Sequence, residues 1–95
     1  MHFVYYLLSP STGKTYVGRT SNLEGRLIAH NHESNKGFTK RYRPWIILYH
    51  ETFENIEDAS NRERYFKTGI GREFLKRIIL QKTDELLGPY PPWRT

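Results

Sequence analysis

Two tyrosines, a glycine, an arginine and a histidine fall within the first thirty residues of this chain, at spacings that packing alone does not require: Tyr5, Tyr16, Gly18, Arg26 and His30. Arg26 and His30 stand at i and i+4, so on a helix they are neighbours. An arginine held at the rim of a core can present a planar, permanently charged donor fork to a phosphate oxygen; the plainer reading of Arg26 is an ordinary surface arginine. His30 with His32 does not make a zinc pair, because residues two apart on a helix diverge by about 200°. A carboxylate lies further along. In Ile56-Glu57-Asp58-Ala59-Ser60-Asn61-Arg62-Glu63-Arg64-Tyr65-Phe66 the helical period puts Glu63 on the same stripe as Ile56, Ala59 and Phe66, where an apolar side chain is expected. A half-buried carboxylate must be paired, protonated or bound to a metal. From spacing alone, an i,i+4 ion pair with Lys67, worth a few tenths of a kcal/mol, accounts for it.

The elements that would position these groups follow from pattern. Phe3 to Leu8 is apolar on both sides, which suits a central strand covered on both faces. Tyr5 and Tyr6 must then point to opposite faces, with Tyr6 in the core. Ser9-Pro10-Ser11-Thr12-Gly13 has turn chemistry, and Lys14 to Thr20 resumes as the second arm of a hairpin. Ser21 to Glu24 offers a capping box with Ser21 as the cap, opening a helix whose buried stripe is Leu23 and Leu27. Asn31 to Pro44 has no usable period and reads as a surface loop in which Lys36, Lys40, Arg41 and Arg43 alternate with Phe38 and Tyr42. That interleaving suits a nucleic-acid backbone groove, and equally a solvated loop with two anchoring rings. Trp45 to Phe53 is a third strand. Asn55 caps the second helix, Thr68-Gly69-Ile70-Gly71 stops it, and a third helix is expected over Arg72 to Lys82. The expected fold is α/β, a small three-stranded, mainly antiparallel sheet flanked by helices. One domain over residues 1–83 precedes a proline-rich tail over 84–95, extended and docked through Tyr90 and Trp93.

At Phe3-Val4-Tyr5 and Tyr16-Val17-Gly18, followed by Arg26, His30 and later Glu63, the chain resembles the GIY-YIG nuclease family. It is most similar to small stand-alone members, and beyond them to the UvrC N-terminal nuclease domain and the catalytic domains of GIY-YIG homing endonucleases. The resemblance extends to about Leu80; its main departure is Phe3 where the motif's name has glycine. It implies metal-dependent hydrolysis of phosphodiester bonds in DNA, in repair or recombination, with Tyr5, Tyr16, Arg26, His30 and Glu63 as the catalytic set. In that scheme Glu63 holds one Mg²⁺ or Mn²⁺ and Arg26 clamps the phosphate. Tyr16 or Tyr5 orients the water or takes its proton, which requires a tyrosine pKa well below ~10. Arg19 is expected to favour phenolate, Gly18 to keep backbone clear of the substrate, and His30 to make a second phosphate or water contact. Lys14, Arg19, Lys36, Lys40, Arg41, Arg43 and Lys67 are the expected nucleic-acid contacts.

Composition agrees with this without requiring it. The 95 residues are 37% hydrophobic, enough for one modest domain. A net charge of +5 and a pI near 9.6 favour polyanionic partners, DNA ahead of RNA and nucleic acid ahead of membrane. With no cysteine, disulfides and thiolate zinc sites are excluded. The longest apolar run, Val4 to Leu8, is too short for a signal peptide or a membrane span, so a cytoplasmic protein is expected. The rival reading is a non-catalytic nucleic-acid-binding module that keeps the fold without turnover. A small RNA-binding domain, the third reading, would need stacking aromatics exposed on the sheet.

Overall fold

A computed structural model of the chain describes residues 1–32 and 37–88. Strand β1, His2–Leu8, pairs antiparallel on one side with β2, Thr15–Thr20, and on the other with β3, Ile46–Phe53, so the sheet order is β2-β1-β3. The apolar run of β1 places it in the centre, as expected. Alternation along β1 then divides the core. Val4, Tyr6 and Leu8 join Leu48, Ala59, Phe66 and Leu75 on one face, while Tyr5 and Leu7 join Trp45 on the other, packed by Tyr16, Leu23 and Leu27. Each large apolar side chain among them removed from water contributes roughly 1.5–3 kcal/mol, which fixes the register, because a one-residue slip would exchange the two faces.

Helix α1, Leu23–Asn31, covers the Tyr5 face; α2, Ile56–Phe66, and α3, Gly69–Leu87, cover the Tyr6 face. The cap of α1 differs from the capping box expected at Ser21. Asn22 is the cap, its side chain accepting the Gly25 N–H at 3.0 Å. The reason lies one residue upstream, where the Thr20 hydroxyl accepts the Asn22 N–H at 3.1 Å and turns the chain so that Asn22, not Ser21, sits at the helix mouth. Residues 33–36, with Lys36, lie outside the described residues. The remainder of the loop holds a 3-10 turn, Phe38–Tyr42. Asn31 clasps this segment to β3: its side chain accepts the Trp45 N–H at 2.6 Å and donates to the Trp45 carbonyl at 3.0 Å.

Asn55 caps α2 as expected, accepting the Asp58 N–H at 2.9 Å. The glycines after α2 do something other than stop a helix. Thr68 caps α3 through the Gly71 N–H, so α3 begins at Gly69 instead of Arg72. A Cβ at Gly71 would stand 2.0 Å from the Tyr65 carbonyl oxygen, so glycine here permits the end of α2 to press against the start of α3. At its other end α3 runs to Leu87, beyond the expected Lys82 and into the segment expected as tail, and Thr83 is buried within it. Residues 89–95, including Tyr90 and Trp93, lie outside the described residues. No helix among the described residues is long and apolar enough to cross a membrane.

Candidate active site at the edge of the sheet

In the β1–β2 ladder Tyr5 stands opposite Gly18, and Tyr16 opposite Leu7, so the two tyrosines are diagonal neighbours on one face. Their ring centroids are 6.2 Å apart. A Cβ on Gly18 would lie 2.3 Å from the Tyr5 hydroxyl and 2.9 Å from the edge of Tyr16. Gly18 was expected to clear backbone for a substrate; the space it leaves is instead filled by the phenol of Tyr5.

The last turn of α1 delivers His30 into this space. Its Nε2 is 2.9 Å from the Tyr5 hydroxyl, its Nδ1 is 2.9 Å from the hydroxyl of Thr39, and its ring meets that of Tyr16 edge-on at 4.9 Å. His30 is only 6% exposed, and both ring nitrogens face protein atoms. The expected contact of His30 with a phosphate or water is therefore replaced by one with Tyr5. Burial, with help from the Arg26 charge, pushes the His30 pKa down and keeps the ring neutral. Arg26, one turn earlier and exposed, sets its guanidinium beside the hydroxyls of Tyr5 and Tyr16, and that contact holds its own pKa up.

Burial raises the pKa of Tyr5, and Arg26 offsets this only in part. That is opposite to the shift required of a tyrosine base. Arg19, expected near the tyrosines, is not there. It follows Gly18 in the strand and so points to the other face, where its Nε reaches Oε1 of Glu63 at 3.3 Å. Lys67 reaches Oε2 of the same carboxylate at 3.2 Å, so the i,i+4 pair anticipated from spacing exists and Arg19 extends it. With the three side chains 22–57% exposed, these pairs add at most ~1 kcal/mol to stability. Along α2, Ala59 and Phe66 are buried, Ile56 is exposed and Glu63 lies at the margin of the stripe. Glu63 opens onto a cleft of about 220 Å³ lined also by Arg19, Ser60, Arg64 and Lys67. Its charge is the smallest of the influences on the Tyr5 hydroxyl, which it pushes in the same direction as burial does.

The residues that aim Glu63 gave no signal in the sequence. Arg62, its neighbour, donates two hydrogen bonds to Glu51 on β3, at 2.7 and 3.1 Å, and lies over the rings of Tyr65, Phe66 and Phe74. Glu51 also accepts from the Tyr49 hydroxyl; burial and that carboxylate push the Tyr49 pKa up to about 12. With Arg62 anchored on β3, a turn of about 100° directs Glu63 toward β2.

A divalent cation suits this donor set within limits. The Glu63 carboxylate and the Ser60 hydroxyl are hard oxygen donors, and the flanking cations are exposed enough to swing aside. Among the described residues no group of three or more histidine, aspartate or glutamate side chains could enclose a metal, so one ion would keep most of its shell for water or phosphate oxygens. Of the expected nucleic-acid contacts, Lys40 and Arg41 are exposed on the 3-10 turn, and the exposed Lys14 lies 5.8 Å from the Tyr42 ring centre. Arg43 is half-buried and donates to the Lys40 carbonyl at 3.2 Å, so it braces the turn. On the other face a groove of about 560 Å³ between β2 and α3 is edged by Lys67, Arg72 and Lys76.

Residues 1–77, which contain the whole of this arrangement, match the model of the GIY-YIG catalytic domain. The chain belongs to the GIY-YIG family. It is 34% identical over 77 residues to a UPF0213 protein of Staphylococcus haemolyticus, covering 81% of this chain and 93% of that one. With a UPF0213 protein of Clostridium perfringens it shares 39% identity over 85 residues, 90% of each chain. A third, from Pediococcus acidilactici, is 37% identical over 78 residues, 80% of each. No solved structure matches the chain significantly. Membership of the GIY-YIG family makes this a nuclease-type domain, of a kind that generally depends on divalent metal and acts on nucleic acid.

Proposed function

We propose that the protein is a metal-dependent endonuclease that hydrolyses phosphodiester bonds in DNA, in a repair or recombination setting. The observation that carries this reading is the convergence of Tyr5, Tyr16, Arg26 and His30 on one face of β2, with Glu63 on the other. Arg26, charged at every working pH, holds the scissile phosphate through its donor fork. Tyr16 rather than Tyr5 orients the attacking water and takes its proton, because Tyr5 is 2% exposed and burial disfavours its phenolate. Arg26 lies beside the Tyr16 hydroxyl and stabilises the charge that develops there. Tyr5 is held by His30 and keeps Tyr16 and Arg26 in place. Glu63, with Ser60 beside it, holds Mg²⁺ or Mn²⁺. Bound there, such an ion supplies positive charge to the phosphate oxygens and to the leaving oxygen. Exposed Lys14, Lys40, Arg41 and Lys67 hold the flanking backbone.

A second reading, a nucleic-acid-binding module without turnover, is favoured by one observation: Glu63 is already satisfied by Arg19 and Lys67. The two readings separate in a cleavage assay on labelled duplex, flapped, branched and single-stranded DNA, with matching RNA, in Mg²⁺, in Mn²⁺ and in EDTA. The nuclease reading expects metal-dependent cutting of at least one DNA. Binding without cutting under every condition would leave the module.

A further inference from the structure

Thr39 has no place in the motif that identifies the family, yet its hydroxyl is the atom in contact with Nδ1 of His30, at 2.9 Å. We propose that Thr39 is a positioning residue, whose hydroxyl accepts the Nδ1–H of His30 and so fixes the tautomer in which Nε2 accepts the hydrogen bond of the Tyr5 hydroxyl. The inference deepens the nuclease reading and rests on it for the consequence for turnover.

The direction of the protons follows from what each group can do. A guanidinium has only donors, so Arg26 beside the Tyr5 hydroxyl can address its oxygen and never its proton. The Tyr5 proton is thereby directed to its other polar neighbour, Nε2 of His30 at 2.9 Å. A neutral imidazole carries one donor and one acceptor nitrogen; with Nε2 accepting, Nδ1 must donate. Its partner is Thr39 Oγ1, and Thr39 is 4% exposed, so water has little access to substitute for it.

Thr39 is itself held from the far side. The indole of Trp45, which is 2% exposed, donates to the Thr39 carbonyl at 2.7 Å, and Asn31 grips the Trp45 backbone. The 3-10 turn Phe38–Tyr42 is thus pinned between the end of α1 and the start of β3, with the Thr39 hydroxyl directed at the histidine. Among the described residues, the groups set against His30 include Tyr5 from β1, Tyr16 from β2, Arg26 from its own helix and Thr39 from the turn.

The test uses the full chain with Thr39→Val, which keeps the shape and removes the acceptor, and Thr39→Ser, which keeps the hydroxyl. Long-range ¹H–¹⁵N spectra at pH 8 read the tautomer of His30 without any need for turnover. The wild type and Thr39→Ser are expected to show the proton on Nδ1, and Thr39→Val to move a substantial share of it to Nε2. In cleavage assays Thr39→Val should lose kcat by about ten- to a hundredfold, as when partners that orient metal-bound histidines are removed, with KM little changed and the loss restored by serine. A wild-type histidine protonated on Nε2, or a Thr39→Val variant with an unchanged tautomer, overturns the assignment whether or not the protein cuts DNA. A protein that shows the expected tautomers and cuts nothing leaves the positioning role standing and removes the nuclease reading.

Discussion

Replacing Gly18 by alanine tests how tightly the tyrosine pair is held against β2. The added Cβ would stand 2.3 Å from the Tyr5 hydroxyl oxygen, 2.5 Å from its ring carbon and 2.9 Å from Tyr16. To reach ordinary contact near 3.4 Å the hydroxyl must retreat by about 1 Å. It has little room to do so, since Tyr5 is 2% exposed and its hydroxyl is hydrogen-bonded to His30. Overpacking of a closed site costs about 1–3 kcal/mol, and at ~4–8 °C per kcal/mol for a domain of this size Gly18→Ala should melt on the order of 10 °C lower. Because a displacement of ~1 Å in a positioned group can cost ~10²-fold in rate, the loss of cleavage at temperatures where the variant is still folded should be larger than the loss of stability suggests. Thermal melts followed by circular dichroism, with cleavage measured well below the melt, read both. Gly69→Ala is the control: nothing lies within 4 Å of a Cβ there, and alanine in a helix is favoured by up to ~1 kcal/mol, so that variant should be as stable or more so. If Gly18→Ala melts and cuts like the wild type, the close approach of Tyr5 to the β2 backbone is not a feature of the protein in solution.

Glu63→Gln should reduce cleavage by about 10²-fold or more, leave DNA affinity in EDTA equal or slightly tighter, and change stability by at most ~1 kcal/mol because its ion pairs are exposed; wild-type cutting in Mg²⁺ would remove the metal role. His30 is held neutral by burial, with its pKa below the unfolded value of ~6.5, so its contribution to stability is present above pH ~6.5 and is lost as pH falls through the lowered folded value. Urea midpoints of wild type and His30→Gln should therefore converge on acidification, and parallel curves would contradict a neutral buried histidine. DNA binding should weaken steeply with salt, and Lys14→Ala and Lys40→Ala should each lower the slope of log K against log salt by about one; a salt-independent affinity would discard the basic surface as the contact.

The parts of this molecule that were legible in advance are those in which one residue type has one physical solution. An unbroken apolar run can only be the covered central strand, and β1 is that strand. Asn55 before an acidic first turn can only open a helix, and α2 begins there. The structure departs from expectation where one residue type has several uses. Serine and asparagine both cap helices, and the choice between Ser21 and Asn22 was made by the Thr20 hydroxyl upstream. Glycine stops helices and also admits close neighbours, and at Gly71 the second use prevailed. Arg19 is expected near the tyrosines from the resemblance, whereas strand alternation from Gly18 onward puts it on the α2 side of the sheet, beside Glu63. Thr39 and Glu51 were invisible for a different reason: each matters only through a partner, nine residues away for His30 and eleven for Arg62, that no local pattern connects.

The site draws on both layers of the fold, with the tyrosines under α1, Arg26 and His30 on it and Glu63 on α2. During synthesis the hairpin and α1 leave the ribosome first, and the carboxylate follows only after β3 has been made and α2 has docked on the opposite face. On the proposed nuclease reading, a half-folded or locally frayed chain therefore lacks the geometry to cut. Detachment of either helical layer would separate the two halves of the site even with the sheet intact. On that reading, the chemistry of the site is available only while both helical layers are docked.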